Sequence, residues 1–119
     1  MQTFRDMEVY RSSYELALEV YRLSERFPDH ERYELARQLR RAATSMPLNI
    51  AEGYSGKSSQ KIFANYVRIA LGSAYEVLVL LDFSKDLGYM SEGDYERFTG
   101  GYLSVIRRLK SLMKALKSG

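Results

Sequence analysis

Apolar residues recur at intervals of three and four along nearly the whole chain, and no segment alternates convincingly with period two. Four helical segments follow one another. The first runs from about Asp6 to Phe27, with Met7, Tyr10, Tyr14, Leu18 and Tyr21 as its predicted inward stripe. Thr3 and Asp6 are spaced as a capping pair at its start. Phe27-Pro28-Asp29 ends it, because a residue preceding proline is disfavoured in the helical region. Asp29 is the predicted N-cap of a second helix carrying Tyr33, Ala36, Leu39, Ala43, Met46 and Ile50. Pro47 lies inside that pattern and lacks a backbone donor, which predicts a kinked last turn or two with the Thr44 and Ser45 hydroxyls serving loosened backbone groups. Gly53 closes the pattern, and Tyr54-Ser55-Gly56-Lys57 reads as the loop.

Ser58 or Ser59 caps the third segment, which reaches Leu87-Gly88. About thirty residues at 1.5 Å each make a rod of roughly 45 Å. Gly88-Tyr89-Met90 turns the chain, and Ser91 with Asp94 caps a fourth helix bearing Tyr95, Phe98, Tyr102, Ile106, Leu109, Met113 and Leu116. Gly100-Gly101 marks either a close helix contact or a local break. Long amphipathic helices with short connections predict an all-α fold, an antiparallel up-down-up-down four-helix bundle, with residues 1–119 as a single domain.

Composition narrows the chemistry. The 119 residues contain no cysteine, which removes disulfides, thiolate nucleophiles and cysteine metal sites. One histidine, His30, removes multi-histidine metal sites, and its place in a turn predicts an ordinary exposed side chain. The amino-terminal residues carry acids and lack an apolar stretch of signal-peptide length, and the longest aliphatic run, Val77 to Leu81, is far too short to span a bilayer. The expected setting is the cytoplasm, without a membrane.

Net charge is only +3, but its distribution is uneven. Residues 1–34 carry −3, residues 35–75 carry +5, residues 76–96 carry −5 and residues 97–119 carry +6. Antiparallel folding is expected to gather Arg37, Arg40, Arg41, Lys57, Lys61, Arg68, Arg107, Arg108, Lys110, Lys114 and Lys117 at one pole. The opposite pole is expected to collect Glu25, Asp29, Glu31, Glu34, Glu76, Asp82, Asp86, Glu92, Asp94 and Glu96. Helix dipoles favour part of this pattern, but lysines at the start of the third helix oppose the dipole rule. A dense basic pole attracts phosphate polymers through counterion release. Arg37, Arg40 and Arg41 are equally well read as ion-pair partners of Glu15, Glu19 or Glu76.

On a helical wheel the third helix turns Ile62, Phe63, Tyr66, Ile69, Ala70, Ser73, Ala74, Val77, Leu80 and Leu81 inward. Ala64, Leu71, Tyr75, Leu78 and Val79 then face outward. Leu71, Tyr75, Leu78 and Val79 are accordingly candidates for a homo-oligomer interface. Catalytic candidates are thin. Asn49-x-x-Glu52 and Ser73-x-x-Glu76 each place two polar groups on one helical face, but counting outward from the loop sets Ser73 near Gln38 and apart from Asn49. Helix-packing hydrogen bonds are the default for both pairs, and Gly72-Ser73-Ala74 reads as a small patch letting helices approach. The tyrosines could stack on bases, though their helical spacing suits core or interface. Neither a cofactor nor a metal is expected.

The block Gln38-Leu39-Arg40-Arg41-Ala42-Ala43-Thr44-Ser45-Met46-Pro47-Leu48-Asn49-Ile50-Ala51-Glu52-Gly53 resembles the four-helix-bundle family of 23S rRNA intervening-sequence proteins. That family typically reads Q-L-R-R-A-A-x-S-I-P-x-N-I-A-E-G here, so Met46 and Leu48 are mild departures. Phe4-x-Asp6-Met7-x-Val9-Tyr10, Phe27-Pro28, Ile69-Ala70-Leu71-Gly72-Ser73-x-x-Glu76 and Leu87-Gly88-Tyr89 extend the match over nearly the whole chain. The resemblance implies antiparallel bundles that can assemble as homopentameric rings. It extends to accessory variability determinant proteins of diversity-generating retroelements, basic pentamers that work with a reverse transcriptase and nucleic acid. It carries no catalytic residues. Arg40, Arg41, Asn49, Glu52, Gly53, Gly72, Ser73 and Glu76 are motif positions of undetermined role.

Together these readings lead to the expectation of a non-enzymatic homo-oligomer, pentameric by resemblance, that binds nucleic acid through phosphates, with RNA favoured over DNA and no sequence-specific readout. The alternative is a protein-interaction scaffold or accessory subunit that never touches nucleic acid.

Overall fold

A computed structural model describes residues 3–31, 33–55 and 59–118. Its helices are α1 (Glu8–Ser24), α2 (Leu35–Ser55), α3 (Gln60–Asp86) and α4 (Glu92–Ser118), with short 3-10 turns at Phe4–Asp6 and Asp29–Glu31. The molecule measures 45 × 22 × 20 Å. Helices adjacent in sequence pack together, and α4 closes the square against α1. Cross-contacts run antiparallel at each seam: Arg40 meets Ser24 across α1/α2, Ser73 meets Ser45 across α2/α3, and Tyr95 meets Asp82 across α3/α4. Arg26 with Asp94, Arg97 with Glu19 and Arg108 with Glu8 step down the α1/α4 seam in the same sense. The chain is therefore an all-α, up-down-up-down four-helix bundle.

Capping follows the sequence closely. Thr3 and Asp6 form a reciprocal capping box, although it opens the 3-10 turn and Met7 precedes α1. Ser59 caps α3 by accepting from the Ile62 amide, and Ser91 Oγ accepts from the Asp94 amide at 3.0 Å. Gly88 ends the α3 turn with φ +82°, a left-handed conformation suited to glycine. Asp29 does not cap α2: it opens a 3-10 turn, α2 begins six residues later, and Tyr33 stands in solvent. Nor does α2 stop at Gly53, since helix continues to Ser55. Pro47 sits inside it, and Thr44 Oγ1 donates to the carbonyls of Arg40 and Arg41. Ser45 does not serve the backbone in this way; its hydroxyl takes up side-chain partners.

The centre of the bundle is built from Val20, Leu39, Met46, Ile50, Val67, Val77, Leu81, Phe98, Tyr102 and Leu109, all fully buried or nearly so. Small residues occupy the closest approaches, with Ala36, Ala43, Ala70 and Ala74 completely buried. Of the expected α1 stripe, Met7 is buried and Tyr10 packs half-buried against the core, but the remainder of the helix turns another face inward. Val9, Ser13, Ala17, Val20 and Leu23 face the core, whereas Tyr14 and Tyr21 remain nearly half exposed. The small side chains let neighbouring helices come close, and the tyrosines keep their hydroxyls wet. In α3, Ile62 and Ile69 are exposed, Ala64 and Val67 are buried, and Leu71 and Leu78 pack half-buried against the core. Only Tyr75 and Val79 of the five expected outward residues are well exposed. Contacts from α2 on one side and α4 on the other widen the buried arc and cover Leu71 and Leu78.

The double glycine in α4 does not break the helix. A Cβ on Gly101 would lie 2.9 Å from Leu16 Cδ2, so Gly101 marks a close α1/α4 approach. Gly100 faces open space. Tyr102 carries an unusual penalty: its buried hydroxyl has no hydrogen-bond partner among the described residues. Desolvation, aided by the charge of Glu19, pushes its phenol well above the ordinary 10.0. With the folded pKa raised, stability is independent of this group's titration below about pH 10 and falls as pH climbs beyond it, where the unfolded chain loses the proton first. Tyr102→Phe should therefore raise stability by about 1 kcal/mol at neutral pH. It should also flatten the loss of stability above pH 10, measured by denaturant melts followed by circular dichroism.

Candidate nucleic-acid interface

The lysines of α3 and α4 come together because antiparallel packing sets the start of one beside the end of the other. Lys61 and Lys117 line a shallow groove of about 570 Å³ with Ser59, Gln60, Ala64, Asn65 and Leu116. Lys110 stands 5.8 Å over the ring of Tyr75, and Lys114 is exposed one turn further on. Lys61, Lys110 and Lys117 make no ion pair among the described residues. Lys110, Lys114 and Lys117 lie towards the C-terminus of α4, where the helix dipole favours cations, whereas Lys61 lies in the first turn of α3, against the dipole. Arg68 and Arg107 are exposed some turns inward from this end. Lys57 lies outside the described residues.

Four of the expected basic residues are placed otherwise. Arg37, Arg40 and Arg41 occupy the first two turns of α2, which lie at the far end of the bundle from the lysines. An α-helix of this length is roughly 30 Å long, so its beginning and end cannot share a pole. Arg40 donates to Ser24 Oγ at 2.8 Å and lies 5.7 Å over the ring of Tyr21. Arg37 and Arg41 line a polar recess of about 350 Å³ with Tyr33, Glu34, Gln38 and Glu76. Arg108 is turned towards α1, 2.9 Å from Glu8 and bonded to Ser12, so a carboxylate offsets its charge. Glu19, a candidate partner for the α2 arginines, instead pairs with Arg97.

The motif residues lie mainly along the α2/α3 seam. Asn49 Nδ2 donates to Ser45 Oγ at 3.0 Å and to the Ser45 carbonyl, and Ser73 Oγ donates to Ser45 Oγ at 2.8 Å. Asn49 and Ser73 thus converge through Ser45, contrary to the count from the loop. Ser45 lies seven residues, about two turns, beyond Gln38 along α2, and the continuation of α2 to Ser55 accounts for part of that displacement. Nearer the lysine end, Glu52 accepts from the Tyr66 hydroxyl, and that bond together with its charge raises the phenol pKa. Gly53 is buried where α2 meets α3: a Cβ there would lie 2.8 Å from both Phe63 Cδ1 and Tyr66 Cβ. Gly72 is different. It is exposed, a Cβ on it would meet nothing within 4 Å, and no helix approach within the protomer needs it.

His30 is exposed, with Nε2 3.4 Å from the hydroxyl of Tyr89, which donates to Glu31 at 2.9 Å. Among the described residues no three His, Asp or Glu side chains are grouped to hold a metal, and no helix is long and apolar enough to cross a membrane. A further feature escaped the sequence reading. Between α1 and α2 lies an apolar groove of about 350 Å³ lined by Phe4, Tyr10, Tyr14, Leu18, Tyr21 and Leu48, with Pro47 and Ala51 along its floor. Its signal was the tyrosine spacing of α1, which a helix with two apolar arcs presents as if it were core.

A square, antiparallel bundle whose seam residues coincide with a sixteen-residue motif defines a small class of helical proteins. The chain belongs to the 23S rRNA-intervening sequence protein family, which it matches over residues 5–111. Its fold is similar to that of a protein of unknown function from the S23 ribosomal protein family of Bacteroides thetaiotaomicron, with 25% identity and a TM-score of 0.82. That similarity covers 89% of this chain and 95% of the other. No curated protein matches the chain.

Proposed function

We propose that this protein is a non-enzymatic, self-associating bundle that binds the phosphates of nucleic acid, RNA in preference, through the end built from α3 and α4. The observation that carries this reading is the meeting of Lys61 and Lys117 in one open groove at this end, with Lys110 standing over Tyr75 further along α3. Arg68 and Arg107 extend the positive surface down the bundle. Such cations recognise backbone charge and do not read bases. A single chain with a net charge of +3 binds polyanions weakly. Assembly multiplies the contacts, and five copies, the number the family resemblance implies, would carry about +15.

Fluorescence anisotropy with a labelled single-stranded RNA across a salt series tests this. Affinity should fall steeply as salt rises, with log K linear in log salt. Lys110→Glu/Lys114→Glu/Lys117→Glu should weaken binding by about 100-fold or more at low salt. Arg37→Glu/Arg41→Glu, at the opposite end, should change it by less than about threefold. Absence of RNA and DNA binding by the native protein at low salt would overturn the reading in favour of a scaffold for a protein partner.

A further inference from the structure

Opposite charges across the α1/α4 seam pair directly: Arg26 with Asp94, Arg97 with Glu19 and Arg108 with Glu8. The recess on the α2/α3 seam is built differently. Arg37, Gln38 and Arg41 of α2, Tyr33 and Glu34 just before that helix, and Glu76 of α3 line a space of about 350 Å³. All six are exposed, Tyr33 by 74%. Among the described residues, the side chains of Arg37, Arg41, Glu34 and Glu76 make no ion pair or hydrogen bond. Two cations and two anions thus face one open space without neutralising each other.

Packing holds these groups in place. Arg37 and Arg41 stand one turn apart on one face of α2, their Cβ atoms about 6 Å from each other, so both guanidinium forks reach an anion placed between them. The Ser73–Ser45 hydrogen bond fixes the α2/α3 register one turn away and sets Glu76 across the seam from Arg41. Arg41 and Glu76 are also the charged motif positions that no contact within the protomer explains, whereas Arg40 bonds to Ser24 and Glu52 to Tyr66. The charges lining the recess sum to zero. A simple anion or cation entering it meets as much repulsion as attraction, whereas a molecule bearing both signs finds a complement for each. The volume lies at the low end of small-molecule pockets, roughly 300–1,000 Å³.

We infer that this recess binds a small zwitterion of the basic amino-acid class, of which free lysine is the simplest example. Its carboxylate lies between the guanidiniums of Arg37 and Arg41. Its α-ammonium faces Glu76, and its side-chain ammonium reaches Glu34 beside the ring of Tyr33. The Gln38 amide adds a neutral donor and acceptor. The second carboxylate selects a basic amino acid over a neutral one, because a single ammonium would leave one of Glu34 and Glu76 without a counter-charge. An internal RNA residue offers a phosphate but no ammonium. The recess is therefore distinct from the lysine end in chemistry as well as position, and the inference is independent of the proposed function.

Isothermal titration calorimetry of the full chain with free lysine, at neutral pH and low salt, is the test. Saturable binding should appear with a dissociation constant of about 0.1–1 mM. Cadaverine, which lacks the carboxylate, and 6-aminohexanoate, which lacks the α-ammonium, should each bind at least about tenfold more weakly. Arg37→Ala/Arg41→Ala and Glu34→Gln/Glu76→Gln should each weaken lysine binding by about tenfold or more, with circular dichroism unchanged because all four side chains are exposed. Lys110→Glu/Lys117→Glu, at the other end of the bundle, should leave it unaltered. No saturable binding of lysine by the native protein at about 10 mM would overturn the inference. So would cadaverine binding as tightly as lysine, which would mean that the guanidiniums take no part, or lysine binding that survives loss of both arginines. Lysine binding by a protein that retains no RNA would remove the proposed function and leave this site standing.

Discussion

Phe98→Ala is expected to lower the free energy of unfolding by about 3–5 kcal/mol. Phe98 is 1% exposed, in the core that α4 shares with the other helices, and its removal leaves a ring-sized cavity that close-packed neighbours cannot fill. A chain of this length has a total stability of roughly 6–18 kcal/mol, so the loss is a large share. Phe83→Ala is the matched control. That ring is 55% exposed on the outer face of α3, and its loss should cost less than about 1 kcal/mol. Urea melts of both variants, at one fixed protomer concentration because assembly stabilises the folded chain, measure the difference. Equal losses would mean that α3 is buried in a way this fold does not allow.

Gly53→Leu should be nearly as damaging, at about 3 kcal/mol. The clash is with Tyr66 Cβ as well as with Phe63 Cδ1, each 2.8 Å from the site of the new Cβ. The Phe63 ring can swing away, but Tyr66 Cβ is tied to the α3 backbone, so α2 and α3 must separate. That separation strains the Glu52–Tyr66 bond beside it. Gly53→Ala should cost less, because alanine recovers about 1 kcal/mol of helix propensity. Gly100→Ala, made in open space on α4, should show that recovery alone and raise stability by about 1 kcal/mol. Thermal melts of the three variants should rank Gly100→Ala above wild type and Gly53→Leu lowest.

The candidate interface was only partly legible in the sequence. Lys61 and Lys117 could be grouped from connectivity alone, because the start of α3 and the end of α4 must meet in any antiparallel bundle. Arg37, Arg40 and Arg41 were misplaced for the complementary reason: they begin α2, and charge totals over long segments conceal which end of a rod each residue occupies. Arg108 looked like its neighbour Arg107 until the helix phase turned it towards Glu8. Asn49 and Ser73 seemed remote because a loop placed at Tyr54-Ser55-Gly56-Lys57 sets the turn too early, whereas α2 runs on to Ser55 and Ser73 meets Ser45.

By itself the sequence determined the number of helices, their antiparallel order, the cap at Ser91, a serine cap of α3 at Ser58 or Ser59, and the family through the Gln38–Gly53 block. These are local matters, set by residue spacing, backbone donors and turn chemistry within a few positions. Tertiary structure alone decided which of two apolar arcs on α1 and α3 became core, why Gly53 must be glycine while Gly72 need not be within the protomer, and which cations kept an open face. Each of those depends on distances between residues far apart in the chain, and close packing fixes such distances only when all four helices are in place.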